Sequence, residues 1–294
     1  MPVTKTTTGG TSNSDLSGVP AQEWEKQGRL ENILLLDFNS DLSVRTRQSY
    51  TLWHSNWEIY VGRFDGPQWD GVFLYDRIDG EGRLLDFDAA MNVVHYQSVH
   101  NLTGNWQVYS GDFAGAGRAQ LLLYDPGNGH AQMLRLASDL TIAGQKSYTD
   151  WGTNKALYVG HFGLSSLSVM LYDSQMAQST FLAFDTSLQV AHQYNAQSWD
   201  HNWQILVGAF LDRSRCVTSG NCANGDDILV LNRQTGQLEQ YIFSFGRTFK
   251  VYDNRMQSFV RQGVASQQYL DPIDTTTFSL VDILNTNIRD EELY

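Results

Sequence analysis

The sequence predicts an all-β protein, a single five-bladed β-propeller spanning residues 31–285. One hairpin-like unit is written repeatedly, and Trp53 to Asp76 shows it in full: Asn-Trp, a short apolar run, Gly-x-Phe, a loop, and an apolar run closed by Tyr-Asp. Its Gly62-Arg63-Phe64 returns as Gly111-Asp112-Phe113, Gly160-His161-Phe162 and Gly208-Ala209-Phe210, at steps of 49, 49 and 48 residues. A period of this size marks a propeller, solenoid or array. Between the turn residues lie runs of four to eight residues rich in Val, Ile, Leu, Phe and Tyr, as half-buried strands should be, and no helical periodicity exceeds two turns.

A second pattern, apolar-x-x-x-apolar-x-apolar, sharpens the count. It occurs at Phe38/Leu42/Val44, Phe87/Met91/Val93, Leu136/Leu140/Ile142, Phe184/Leu188/Val190 and Phe245/Phe249/Val251. Its steps are 49, 49, 48 and 61, and the long step is assigned to an insertion at Arg213–Gly225, in a loop that tolerates it at small entropic cost.

Taken in order, residues 1–30 are too polar to bury themselves and are expected to form an N-terminal tail. Two strands follow at about 31–37 and 42–49, the last two of one blade. Four full units come next. The apolar run TFSLVDIL then falls where a fifth copy is due, so a degenerate copy is placed at about 266–283, with 286–294 as a C-terminal tail. First and last units split in this way let the two chain ends share one blade and close a ring. The Tyr-Asp turns at Asp76, Asp125 and Asp173, with Asn232 in the fourth unit, read as side chains bonding their own backbone.

Composition narrows the partners. The net charge is −12 with no Lys/Arg run, which argues against nucleic acid, whose phosphates need clustered cations. It argues equally against a basic membrane-surface helix, and no apolar window is long enough for membrane insertion. The N-terminus lacks the apolar segment of a Sec-type signal peptide. Cys216 and Cys222 read as a loop disulfide, with two free thiols as the alternative; no His stands beside them at zinc-ligand spacing. These two signs leave an extracellular protein secreted without a classical signal peptide as the first reading and a cytoplasmic one as the alternative.

Residues 111–125, Gly-Asp-Phe-Ala-Gly-Ala-Gly-Arg-Ala-Gln-Leu-Leu-Leu-Tyr-Asp, resemble the FG-GAP propeller repeat found in integrin heads and some fungal and bacterial lectins. The resemblance implies a propeller fold, and often a calcium loop after the Phe. Calcium takes six to eight oxygen ligands. Here only Asp65 and Asp70 supply carboxylates in the first such loop, and the second and third carry none past the Phe, so no cofactor is expected beyond a weak calcium candidate at Asp65 and Asp70.

Function is expected in the segment before each Gly-x-Phe: LWHSNW, NLTGNW, DWGTNK and SWDHNW. Asn56, Asn105, Asn154 and Asn202 recur, with Trp53, Trp151 and Trp199 early in the segment and Trp57, Trp106 and Trp203 at its end; His54, Asp200 and His201 add polar groups. Aromatic faces cover the apolar face of a sugar while amides and charges fix its hydroxyls, so the expected ligand is a glycan or glycoprotein bound at several similar rim sites. Blade-to-blade packing competes for the same Trp residues, and turn-holding for the Asn. A protein-interaction scaffold is the alternative function. An enzyme is not expected: the residue inside Gly-x-Phe is Arg63, Asp112, His161 and Ala209 in turn, which does not set paired acids at one level as glycoside hydrolysis needs.

Overall fold

The computed structural model describes residues 3–5, 30–54, 56–66, 70–162, 166–197, 199–208, 210, 226–244, 247–253, 258–261 and 264–267. Every regular element among them is a β-strand, and every strand pairing is antiparallel.

The first sheet contains β1 (Val3–Lys5), β2 (Leu30–Phe38) and β3 (Val44–His54). The second holds β4 (Trp57–Gly62), β5 (Gly71–Asp76), β6 (Glu81–Phe87) and β7 (Val93–Val99). The third holds β8 (Gln107–Gly111), β9 (Gln120–Asp125), β10 (His130–Leu136) and β11 (Ile142–Tyr148). The fourth is β12 (Ala156–Gly160), β13 (Ser168–Asp173), β14 (Gln178–Phe184) and β15 (Val190–Gln197). The fifth has β16 (Trp203–Gly208), β17 (Asp227–Asn232), β18 (Leu238–Ser244), β19 (Arg247–Asp253), β20 (Ser258–Arg261) and β21 (Val264–Gln267). Meandering four-stranded sheets of this kind are what propeller blades are made of.

The expected two strands of the opening unit are β2 and β3, joined by β1 from within the stretch read as tail. The insertion expected at Arg213–Gly225 falls between β16 and β17, and residues 211–225, including Cys216 and Cys222, lie outside the described residues. The inferred fifth copy also lies almost wholly outside them; its first residues, to Gln267, belong to β21, which pairs with β20 in the fifth sheet.

The repeated motifs have local physical causes. In Gly-x-Phe, the Phe ring folds back over the Gly: a Cβ on Gly62 would stand 3.0 Å from the Phe64 ring and 3.0 Å from Ala119, and one on Gly160 would meet Val207 at 2.8 Å and Phe162 at 3.1 Å. The second motif spans a hairpin turn. Leu42, Met91, Leu140 and Leu188 all take φ between 63° and 66°, a left-handed conformation normally left to Gly or Asn. Each closes a tight loop, with Met91 donating to the Asp88 carbonyl at 2.9 Å and Leu188 to that of Asp185 at 2.9 Å. The strain, of order 1 kcal/mol, is offset in three cases by burial, since Met91, Leu140 and Leu188 are buried and a fully buried side chain of this size gains about 1.5–3 kcal/mol. Leu42 is the exception, 79% exposed. In the fifth occurrence Phe249 and Val251 both lie inside β19, with Phe249 paired to Ile242, rather than at a turn, and Phe245 lies outside the described residues.

The chain divides into two compact units, residues 1–112 with 116–153, and residues 113–115 with 154–294. In the first unit, Ile33, Leu35 and Tyr50 of the first sheet pack with Val72, Leu74, Leu85 and Phe87 of the second, while Phe64, Phe73, Tyr75 and Leu84 pack with Leu121, Leu123, Leu134 and Leu140 of the third. In the second unit, Phe162, Met170, Tyr172 and Phe181 pack with Ile205, Ile228 and Val230.

Candidate functional site

The Trp/Asn segments lie at one end of their sheets, where the fourth strand of one sheet passes to the first strand of the next. Three of the four, at 101–106, 150–155 and 198–203, are tied down by the Tyr of the Tyr-Asp motif. Tyr75 donates its hydroxyl to the carbonyls of Leu102 (3.1 Å) and Gly104 (3.4 Å), Tyr124 to that of Gly152 (2.9 Å), and Tyr172 to that of Asp200 (2.7 Å). Burial pushes the Tyr172 hydroxyl up to about 12, so it keeps its proton and remains a donor. The Asp that follows holds its own turn, as expected: Asp76 accepts from the Ile78 amide at 2.9 Å, Asp125 from Gly127 at 2.8 Å and Asp173 from Met176 at 2.9 Å, with Asn232 accepting from Thr235 at 3.0 Å.

Within this frame the expected ligand contacts separate into three groups. Trp57 and Trp151 are core residues. Trp57 is buried between the first and second sheets with the Arg83 guanidinium 5.3 Å from its ring centre, and Trp151 lies 5.1 Å from the Tyr148 ring and 6.1 Å from the Tyr124 ring. For these two, packing takes the whole side chain and leaves no face for a sugar. Trp106, Trp199 and Trp203 are half-buried, packing one side against core while another meets solvent; Trp199 stands edge-on to Tyr241 at 5.0 Å. Trp53 and His54 close β3, and their side chains lie outside the described residues.

The recurrent Asn has no single role. Asn154 adopts φ 57°, which Asn tolerates better than most residues. Asn202 donates its amide to Asp200 Oδ1 at 3.0 Å and accepts from the Arg233 amide through its carbonyl at 2.9 Å. Asn105 is exposed and accepts from Arg77 Nη1 at 3.2 Å; Arg77 in turn grips Glu58 through two 2.9 Å hydrogen bonds. Asn56 sits exposed in the β3–β4 turn, and Asp200 and His201 are exposed.

At the opposite end of the second sheet a different group assembles. Asp65 follows Phe64 beyond β4, Asp86 is the last residue but one of β6, and His95 sits directly across from Asp86 near the start of β7. One potential ligand atom from each lies within 4.8 Å of the others, with His95 Nδ1 3.8 Å from Asp86 Oδ2. Asp86 is 2% exposed, and neither of its carboxylate oxygens has a hydrogen-bond partner; Asp65 Oδ1 is buried in the same condition. Burial, reinforced by the Asp65 charge and opposed by His95, pushes the Asp86 carboxyl up to about 7. Asp70, the other residue of the calcium candidate, faces Arg63 at 3.4 Å. Asp86 and His95 were missed because they lie outside the recurrent motifs. Their signal is the break in the repeat: the corresponding cross-strand pairs are Arg135/Gly144 in the third sheet and Ala183/His192 in the fourth.

No protein-family model matches this chain, and no curated protein matches it. Among solved structures it is similar to a protein from Lactobacillus plantarum, at 11% identity and a TM-score of 0.49 over 78% of this chain, which spans 65% of that chain. It is also similar to a protein of unknown function from Bacteroides caccae, at 11% identity and a TM-score of 0.38, with 76% of this chain and 73% of that one covered.

No helix among the described residues is long and apolar enough to cross a membrane.

Proposed function

We propose that the chain is a non-enzymatic binding module of the propeller-lectin type, taking glycans at its repeated Trp/Asn rim segments. The observation that carries this reading is the tyrosine tether: three segments of similar composition are each held at a backbone carbonyl by the same Tyr of the preceding motif. A segment ordered before binding loses little entropy on binding, and several weak copies add avidity on clustered ligands. The surface available for contact is the half-buried Trp106, Trp199 and Trp203 together with exposed Asn105, Asn154, Asp200 and His201. Calcium has no part in this reading.

A glycan array followed by calorimetry tests it. Trp106→Ala and Trp199→Ala should each weaken binding several-fold, since an aromatic contact contributes about 0.5–1.5 kcal/mol beyond buried area. Failure of the wild type to bind any glycan, or binding indifferent to both substitutions, overturns it. A protein-binding scaffold is the second reading, favoured by Ile78 and Met176, which stand 76% and 63% exposed in the equivalent hairpin turns at this same end of the second and fourth sheets. Capture of a single protein partner that free sugars do not displace would establish it.

The finer fold belongs to the same proposal: the repeats close into one five-bladed ring whose terminal strands share a blade. The 49-residue period and the exposure of Leu42 and Val44 support it, and it requires the C-terminal strands to take the edge of β2 that β1 occupies. Closure predicts that deleting residues 268–294 accelerates amide exchange in β2.

A further inference from the structure

We propose that Asp65, Asp86 and His95 form a binding site for a divalent transition-metal ion, zinc being the ion whose ligand chemistry fits best. Two carboxylates placed together in a buried pocket repel one another, and three of their four oxygens are buried without a donor. Buried polar atoms are almost always partnered, and a buried carboxylate left without a donor calls for a counter-charge. His95 does not donate to it, since its Nδ1 stands 3.8 Å away, beyond a hydrogen bond. A cation between the three side chains would satisfy all of the orphaned oxygens at once.

The surroundings keep the space open. Gly71 opens β5 beside Asp86, and a Cβ there would stand 2.4 Å from Asp86 Oδ1 and 2.8 Å from the Leu85 carbonyl. The residues that open the corresponding strand in the third, fourth and fifth sheets are Gln120, Ser168 and Asp227, all with side chains. In the second sheet alone, among the described residues, the loop acid, the strand acid, the cross-strand imidazole and the clearing glycine coincide. Where the repeat supplies a buried acid in the fifth sheet, it is paired: Asp227 accepts from the Phe210 amide at 3.1 Å.

The donor set selects the ion class. Calcium and magnesium take oxygen ligands and many of them, whereas an imidazole with two carboxylates suits zinc and its neighbours. Tetrahedral bonds of about 2.0–2.1 Å put ligand atoms roughly 3.3–3.4 Å apart, so the three side chains need close by at most about 1.5 Å. Asp86 is held by β6, Asp65 by the loop behind Phe64, and His95 by β7 with its side chain 50% exposed. Three protein ligands leave a coordination position for water or a bound group on the His95 side, the pattern of open rather than purely structural zinc sites.

The test uses the untagged full chain, stripped with chelator and titrated with Zn²⁺, Co²⁺ and Ca²⁺ by calorimetry, with Co²⁺ absorption reporting the coordination geometry. The expected result is one Zn²⁺ or Co²⁺ per chain, a visible Co²⁺ band, and a melting temperature that rises to saturation with Zn²⁺. His95→Ala, at a half-exposed position, and the isosteric Asp86→Asn should each weaken Zn²⁺ binding by about 10–100-fold or more. Absence of saturable Zn²⁺ and Co²⁺ binding overturns the site, as does Zn²⁺ binding unchanged in both variants, which would place the ion elsewhere. Calcium bound with His95→Ala indifferent overturns the assignment of ion class. Circular dichroism of the variants separates lost binding from lost fold. Glycan binding is a separate readout, so either result leaves the rim reading to its own test.

Discussion

The hydroxyl of Tyr124 donates to the carbonyl of Gly152 at 2.9 Å, across 28 residues of sequence, and Trp151 beside that carbonyl leans on the ring of the same tyrosine. One side chain thus fixes both the backbone and the aromatic of the rim segment. Tyr124→Phe keeps the ring contact and removes the hydrogen bond, so it should cost about 0.5–1.5 kcal/mol in denaturant unfolding with an unchanged m-value. A larger loss would mean that the rim segment itself comes apart.

Leu42 and Met91 share a backbone conformation and differ in burial, which sets opposite signs for the same substitution. Leu42→Gly relieves a left-handed φ of 66° while giving up almost no buried surface, and should raise stability by up to about 1 kcal/mol. Met91→Ala keeps the strain and empties a core position, and should lower stability by about 2–5 kcal/mol. Thermal melts of the two variants side by side check both signs.

Glycine positions in the second sheet give a similar contrast. Gly71→Ala drives a methyl group against Asp86 and the Leu85 carbonyl and should cost about 1–3 kcal/mol. Gly66→Ala meets nothing within 4 Å and should stay within about 0.5 kcal/mol of wild type. Equal effects at both positions would show that the tight approach at Gly71 relaxes freely.

The turn acids make the fold sensitive to acid. Hydrogen bonds from the Ser43 hydroxyl and amide hold the Asp41 carboxyl below its usual 3.8. A depressed folded-state value means stability that is present above the unfolded value and lost as pH falls through the folded one. Asp41→Asn keeps an acceptor for the Ser43 amide and removes the titration. Melting temperatures of wild type and variant should therefore differ above about pH 4 and converge toward pH 2.

The repeat made the strand order legible because strands of this kind alternate between tight turns, and tight turns need Gly, Asp and Asn at set places. Tyr75, Asp76 and Phe64 could be assigned to architecture for that reason. The strained Leu at the fourth-strand turn could not be read, since an apolar residue at positive φ looks like one more strand residue. The rim Trp residues were ambiguous because packing and sugar stacking ask for the same side chain; burial alone separated Trp57 and Trp151 from Trp199. The Asp65/Asp86/His95 group escaped a search for recurrence because it is made of departures from the pattern, brought together by register across β6 and β7.

Tyr50 of the first sheet donates its hydroxyl to the carbonyl of Met91 in the hairpin of the second, and Leu140 of the third sheet inserts beside Phe64 and Phe73 of the second. The first and second sheets therefore each complete their core with a residue lent by the next. The stability of such a chain is a sum of nearest-neighbour terms rather than of independent modules. A cut placed between two sheets would strip the upstream one of its plug and leave the downstream one with a bare Met or Leu at a strained turn. Units of this kind are gained or lost whole, and unfolding begun at one sheet is passed to the one beside it.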